Sequence, residues 1–496
     1  MFGKKLDFLM TITNTKNSTL GRVLSFDPSY ISRIRNGSRK MHKNKSIITN
    51  ISLYFAQVIK EPYQKTAIAN AINMDIEWPS DASEAEKYIY KWLSDDDDFD
   101  HEAIRNILIK FSTNKPTDSI KTSSFDSEKT ISKNGYFYGN DGLRTAILNL
   151  IRSACLANNC HTLLINFSDN IKYLGSDPDY LKNLNELLFE FIGKGGSVIM
   201  IHPLTKDFKK MIGSVEKWLP LYMTGLMEPY YYPKSKDGIY QRTLLVSEKT
   251  CALSSISICN NTNNSLTTLT DDKDAIKAFE EEFYDYYQLC KPIFNVYNPT
   301  KINQFWEVLQ KFRTYNSNRI ILDNNLSIYS MPIEIIDNNF KKTNNKILFN
   351  LYNQSISSFK EHMQKGYTTL EIISLPKINE LEANEFKMTI GYTSDPIVIT
   401  YTKDDLKLHL ENIIRLLKQY KNYNIVITTR KMNNIHIYSL ENYGTIIARN
   451  YPSPIAFVIT EKNMTSSFWE YLTYTFATHS KKEKVITFLE KYIKNL

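Results

Sequence analysis

The stretch "FDPSYISRIRNGSRK", residues 26–40, carries four positive charges and one negative on a segment that opens Asp-Pro and closes at Gly37. Asp27 can cap a helix through its carboxylate. Pro28 suits the first helical turn because it has no N–H to leave unpaired, and Gly37 can take the left-handed conformation that ends the helix. A helix over 28–36 is therefore predicted. On it Ile31 and Ile34, three apart, face inward with Leu20, Val23 and Leu24 of a helix just before, while Ser29, Ser32, Arg33 and Asn36 point outward. Working outward, short helices are expected near 4–12, 18–25, 28–36, 44–59 and 62–73.

Charge supports a special role for this segment. Residues 1–74 hold 12 Lys and Arg against three acids (Asp7, Asp27 and Glu61), a net of +9, whereas the whole chain is +8, so the remaining residues sum to −1. The basic excess sits entirely at the N-terminal end, as expected of a polyanion-binding module joined to a neutral body.

Two short helices joined by a tight turn, the second presenting small polar and Arg side chains, fit the major groove of B-DNA. Arg33 could reach guanine O6 and N7 bidentately, with Ser29, Tyr30 and Ser32 beside it on the base edges. Arg22, Arg35, Arg39, Lys40 and Lys43 are the expected phosphate contacts. The segment "NSTLGRVLSFDPSYISRIRNGSRK" resembles the helix-turn-helix of the Cro/CI-type (XRE) family of regulators. Leu20, Phe26, Tyr30, Ile31, Ile34 and Gly37 fall at that family's packing and closing positions, and Gly21 stands at its small-residue position. Ser25 occupies a turn position usually held by Gly, and Pro28 replaces a usual polar residue. The resemblance covers about 60 residues and implies a DNA operator as partner and a homodimer, because one such helix reads about half a site.

Beyond the first 75 residues, a helical extension is expected over 76–111, with helices near 83–93 and 100–111 and the acidic run "SDDDDFD" between them acting as cap and solvated loop. A linker over 112–135 follows; ten of residues 112–132 are Ser or Thr, too few apolar groups to fold. From Tyr136 the pattern alternates helix and strand: helix 141–157, strand 162–167, helix 179–193, strand 197–201, helix 206–217, extended segments near 227–232, 240–247 and 252–258, then a long helix. That rhythm implies an α/β sandwich with a largely parallel sheet over 136–300. A similar rhythm near 347–480 suggests a second α/β unit over 301–496. "LLVSEKT" (244–250) aligns without gaps to "FVITEKN" (457–463), as a duplicated domain would leave.

This order of elements is similar to the phospholipase D-like fold, whose two halves each carry a His-x-Lys-x4-Asp motif. The resemblance implies two tandem units, and its chemistry is missing here; the body is therefore expected to sense a small-molecule or protein signal or to form the dimer. With Glu248 as the acid, Gln241 and Thr243 stand at the His and Lys positions; counting back from Glu461 gives Pro454 and Ala456. Of the eight His residues only His479 has a Lys two places on, Lys481, and Ile486 stands where that motif needs its Asp, so the units are expected to lack the covalent phosphodiesterase step.

No phosphate-cradling loop, nucleophile elbow, metal motif or cofactor motif is found, so no catalytic residue, metal or cofactor is expected. Five cysteines form no CxxC pair and are expected to be reduced and mostly buried; no signal peptide or membrane span is read, placing the chain in the cytoplasm. His202 and the tyrosines of "EPYYYPK" (228–234) are expected to be structural. The expected protein is multidomain, an all-α helix-turn-helix domain followed by α/β sandwich units. Its expected function is non-enzymatic transcriptional regulation; the alternative is a phosphodiesterase-like defence effector delivered by the helix-turn-helix.

Overall fold

The computed structural model describes residues 2–36, 45–72, 78–79, 81–94, 101–113, 132–157, 160–167, 177–203, 208–234, 239–248, 250–258, 265–323, 325–343, 346–376, 385–390, 397–428, 435–450, 454–476 and 482–496. Gly37, Arg39, Lys40, Lys43, the acidic run 95–98 and residues 114–131 of the expected linker lie outside them. The chain divides into two compact units, Met1–Asp100 and His101–Leu496. The stretch 76–111, read above as one extension, is thereby split between them.

The first unit is all helix: α1 Phe2–Ile12, α2 Asn17–Leu24, α3 Pro28–Arg35, α4 Lys45–Val58, α5 Pro62–Ile72 and α6 Ala82–Ser94. Leu6, Leu9, Leu20, Ile31, Ile51, Phe55, Ile68 and Ile89 are fully buried in one core that draws on every helix. Helix α6 is tied into this core beyond its apolar face, since Lys5 donates from Nζ to the Trp92 carbonyl at 2.8 Å.

The second unit holds α7 (His101–Thr113) and two mixed sheets. In the first sheet, β1 (Gly135–Tyr138), α8 (Gly139–Cys155), β2 (Thr162–Phe167), α9 (Pro178–Gly193), β3 (Ser197–His202), α10 (Phe208–Tyr222) and β4 (Met227–Tyr231) come first. The meander β5 (Tyr240–Ser247), β6 (Cys251–Ile258) and β7 (Leu266–Thr270) follows, then α11 (Lys273–Tyr287) and the short β8 (Lys291–Pro292). Spatial order is β1-β7-β6-β5-β2-β3-β4-β8. Strands β2, β3 and β4 run parallel, as their helical crossovers require, and every other pairing is antiparallel.

The second sheet begins with β9 (Asn295–Tyr297), before the boundary expected at 301. Next come α12 (Ile302–Thr314), β10 (Arg319–Leu322), α13 (Ile333–Thr343), α14 (Lys346–Gln364) and β11 (Thr369–Ile373). A separate hairpin, β12 (Glu385–Ile390) with β13 (Ile397–Thr402), leads into α15 (Lys403–Gln419) and β14 (Tyr423–Ile427). The unit closes with β15 (Ile435–Leu440), β16 (Gly444–Arg449), β17 (Ile455–Ile459), α16 (Lys462–Phe476) and α17 (Lys482–Lys494). Its order is β14-β11-β10-β15-β16-β17-β9.

Matching β9, β10, β11, β14, β15, β16 and β17 to β1 through β7 in turn reproduces the first sheet's order strand for strand. It also reproduces which pairs are parallel. The gapless segment match proposed from sequence does not fit this correspondence. "LLVSEKT" ends β5 and "FVITEKN" ends β17, strands at different places in the order, and two buried apolar strands look alike in sequence wherever they sit.

Each sheet is covered on both faces. Helices α8, α9 and α10 pack on Leu163, Ile165, Val198, Met200 and Leu245, while α11 packs on Leu164, Leu244 and Val246. One continuous core runs from the first sheet's α8–α10 face to the second sheet's α16 face. There the Phe457 ring meets Phe111 of α7 at 5.0 Å and stacks on Phe294 at 4.7 Å. Arg449, fully buried, donates from Nη1 to the Phe111 carbonyl at 2.7 Å, fixing α7 to β16.

Candidate functional site

The turn between α2 and α3 is built by three local devices. Ser25 sits in the left-handed region at φ 56° and ψ 39°, the strained conformation a Gly would adopt more readily. The Phe26 N–H then bonds the Gly21 carbonyl at 2.8 Å, closing α2. A Cβ on Gly21 would stand 2.6 Å from the Phe26 carbonyl oxygen, so only glycine lets the turn fold back this tightly. Asp27 caps α3 as expected, accepting from the Ser29 N–H at 2.7 Å, with Pro28 in the first turn. Hydrogen bonds from the Ser29 hydroxyl and N–H hold the Asp27 carboxyl below its ordinary value.

Ile31 and Ile34 are buried, and Phe26 meets Tyr30 edge-on at 5.0 Å. Val23, expected inside, is 42% exposed. Leu20, Gly21 and Leu24 define the inward side of α2, and at about 100° per residue Val23 falls roughly a quarter-turn or more away from it.

Of the sequence-predicted contacts, Ser29, Arg33 and Arg22 are exposed, and Tyr30 and Ser32 are half-buried. Ser29, Tyr30, Ser32 and Arg33 are brought together on α3. Arg33 lies along the helix, donating from Nε to the Ser29 carbonyl at 3.3 Å and from Nη2 to the Ser29 hydroxyl at 3.1 Å. Arg35 is differently placed: it donates to Asp7 Oδ1 from Nε at 2.9 Å and from Nη2 at 2.6 Å, and to Asn17 Oδ1 from Nη1 at 2.8 Å. It therefore braces α3 against α1 and α2. One group was missed in sequence: exposed Lys16 occupies the N-cap of α2 without a side-chain cap bond, putting an ammonium beside the helix's positive end. No Ser, Thr, Asp or Asn marks position 16, so the usual signal of a helix start is missing there.

Three histidines of the second unit, His202, His362 and His409, are buried and hydrogen-bonded within the fold. His202 is buried against the Tyr222 hydroxyl, and burial pushes it down to about 4. His409 is fully buried between the Ser330 hydroxyl (2.9 Å) and the Tyr401 hydroxyl (3.0 Å), and burial lowers it to about 3. His362 contacts the Ser317 carbonyl through Nε2 at 2.7 Å and the Arg319 guanidinium through Nδ1; burial and that cation lower it to about 4. Neutral at pH 7, with Nε2–H donating to a carbonyl, its Nδ1 is the acceptor for Arg319. The "EPYYYPK" tyrosines pack internally, Tyr230 on Tyr287 at 4.6 Å and Tyr232 near Tyr286 at 5.4 Å. Cys155 and Cys251 are buried, Cys290 half-buried and Cys160 exposed, none of the four in a disulfide; Cys259 lies outside the described residues. Among the described residues, no helix is long and apolar enough to cross a membrane and no cluster of His, Cys, Asp and Glu could hold a metal.

No known family model matches this chain, and no curated protein does. Among solved structures it is similar to TrmBL2, an archaeal chromatin protein whose structure shows a novel mode of DNA binding. The two share 12% identity over 50% of this chain and 94% of that one, at a TM-score of 0.24. A likeness of that size does not define a shared fold.

Proposed function

We propose that the chain is a sequence-specific DNA-binding transcriptional regulator of the Cro/CI type, acting as a homodimer, with a non-catalytic body that senses a signal. The observation that carries this reading is the α2–turn–α3 geometry. Asp27, Pro28 and Gly21 fix a short helix whose exposed side presents Ser29, Tyr30, Ser32 and Arg33, within the segment holding all the chain's excess positive charge. Arg33 would leave Ser29 for guanine O6 and N7, with Ser29, Ser32 and Tyr30 on neighbouring base edges. Arg22, Arg39, Lys40 and Lys43 would hold phosphates, joined by Lys16. Arg35 acts instead as the strut that orients α3.

The body is read as two phospholipase D-like halves that have lost their chemistry. Their matching strand orders support the duplication, and the lack of any His-x-Lys-x4-Asp motif in the sequence supports the loss of a covalent phosphoryl step.

The test begins by selecting bound duplexes from a randomised pool with the full chain. The proposal expects a consensus with two related half-sites about one DNA turn apart. Binding to it should weaken steeply as salt rises and exceed binding to a scrambled duplex by roughly a thousandfold or more. A pool that stays unenriched would refute the regulator.

A further inference from the structure

Between α12 and α14 of the second sheet's helical layer lies a cavity of about 550 Å³. Its walls are polar: the amides of Gln310, Asn316, Asn353 and Gln354, the hydroxyls of Ser357 and Ser358, and the side chains of Arg313 and His362. Arg313 is only 9% exposed, and its Nη1 has no hydrogen-bond partner. Behind His362 lies a second buried guanidinium, Arg319, 1% exposed, which bonds Tyr438 and His362 and leaves Nε unpartnered. Among the described residues, neither arginine has a hydrogen-bonded carboxylate. The cavity's own acid, Glu361, is held by Lys365 at 2.6 Å.

Arg319 has the buried Glu371 within electrostatic reach, but Arg313, a buried cation with no carboxylate bonded to it among the described residues, is costly unless something supplies the missing charge. A guanidinium fork fits the paired oxygens of a carboxylate or phosphate, and a volume in this range fits a small organic molecule. We propose that the α12–α14 cavity binds a small organic oxyanion, with Arg313 holding its carboxylate or phosphate and the Gln310, Asn353 and Gln354 amides and the Ser357 hydroxyl bonding its polar body. His362 and Arg319 connect this wall to Tyr438 on β15, so occupancy bears on the interior of the second sheet. That the oxyanion is the regulator's signal rests on the function proposed above; that the cavity binds it does not.

The test is isothermal calorimetry of the full chain at constant ionic strength with inorganic phosphate and with succinate, and with chloride and glycerol as controls. One of the two oxyanions should bind saturably at one per chain. Ser357→Phe, an exposed position whose ring would fill the cavity, should weaken that binding at least tenfold, as should Arg313→Gln. If Arg313→Gln fails to fold, Ser357→Phe decides alone. Heat from neither oxyanion beyond the controls, or unchanged affinity in a folded Ser357→Phe protein, overturns the site. Measuring DNA affinity with and without the bound oxyanion separates the two claims. A shift that Ser357→Phe abolishes supports the signal role. Intact DNA binding with no shift overturns that role and leaves the site standing, and loss of all DNA binding overturns the regulator itself.

Discussion

The two sheets of the second unit share one strand order and one pattern of directions, yet the faces under their crossover helices are opposite in chemistry. In the first sheet that face is Leu163, Ile165, Val198 and Met200. In the second it carries Arg319, Thr369, Glu371, Tyr423 and Tyr438, all buried, among Ile321, Ile373 and Ile425. Topology is fixed by which backbones pair and where crossovers run, whereas the face beneath the helices is free to change as long as each polar group finds a partner. Here the partners are incomplete: Glu371 accepts from the Tyr423 hydroxyl at 2.8 Å while its Oε1 has none. A polar interior left partly unsatisfied is poorly suited to stability alone and well suited to responding to its surroundings.

This contrast can be broken first in the apolar half. Met200→Ala, at a fully buried position, should cost about 2–5 kcal/mol and by a similar amount at any pH near neutral. Denaturant titration at pH 5.5 and 8 checks both points, and a cost that changed with pH would erase the distinction between the halves.

The polar half should instead answer to pH. Burial raises the Glu371 carboxyl to about 7 from an ordinary 4.5. Its folded value lies above its unfolded one, so its contribution is full below about 4.5 and is lost as pH rises through about 7. Glu371→Gln should therefore be more stable than the parent at pH 8, by up to a few kcal/mol at about 1.4 kcal/mol per unit of displacement, with the gap closing toward pH 5. Equal stability curves across that range would show the carboxylate to be solvated.

His362 and His409 act in the other direction. Their folded values of about 4 and about 3 lie below 6.5, so the stability they provide is present above 6.5 and lost as pH falls through those values. Acid titration followed by tyrosine fluorescence should find the second sheet loosening between pH 6.5 and 4, and His409→Asn should flatten that limb. A limb unchanged by the substitution would place its origin elsewhere.

The smallest effect belongs to the first unit. The Arg35–Asp7 pair is 26% and 50% exposed on its two sides, so Arg35→Ala should cost no more than about 1 kcal/mol. A much larger loss would mean that the brace sets the helix-turn-helix rather than trimming it.

Much of this architecture was legible. Asp27 and Pro28 announced α3, and β2 and β5 fall where apolar runs placed them, at 162–167 and 240–247. Strand β10 was missed because "RIIL" is four residues opening on an arginine, which reads as solvent-facing, and Arg319 is nevertheless buried under α14. The likeness of the two sheets shows in strand order and not in the segment thought to carry it, because burial on both faces removes the alternation that would tell one strand from another. In the candidate DNA interface, residue types indicated the outward side of α3, but the pairing of Arg35 with Asp7, 28 positions away, needed the fold. The α12–α14 cavity was illegible for the same reason: its Gln, Asn and Ser side chains look like an ordinary wet helix face until a second helix is laid beside the first.

The most direct measurement is fluorescence anisotropy of the full chain on its selected duplex and a scrambled one across several salt concentrations, comparing the parent, Arg33→Ala and Arg35→Ala. Arg33→Ala should lose about 1–3 kcal/mol of selectivity while keeping its salt dependence, and Arg35→Ala should keep selectivity in the protein that remains folded. Selectivity untouched by Arg33→Ala, or no preference between the duplexes in the parent chain, would contradict the assignment of α3 as the helix that reads DNA.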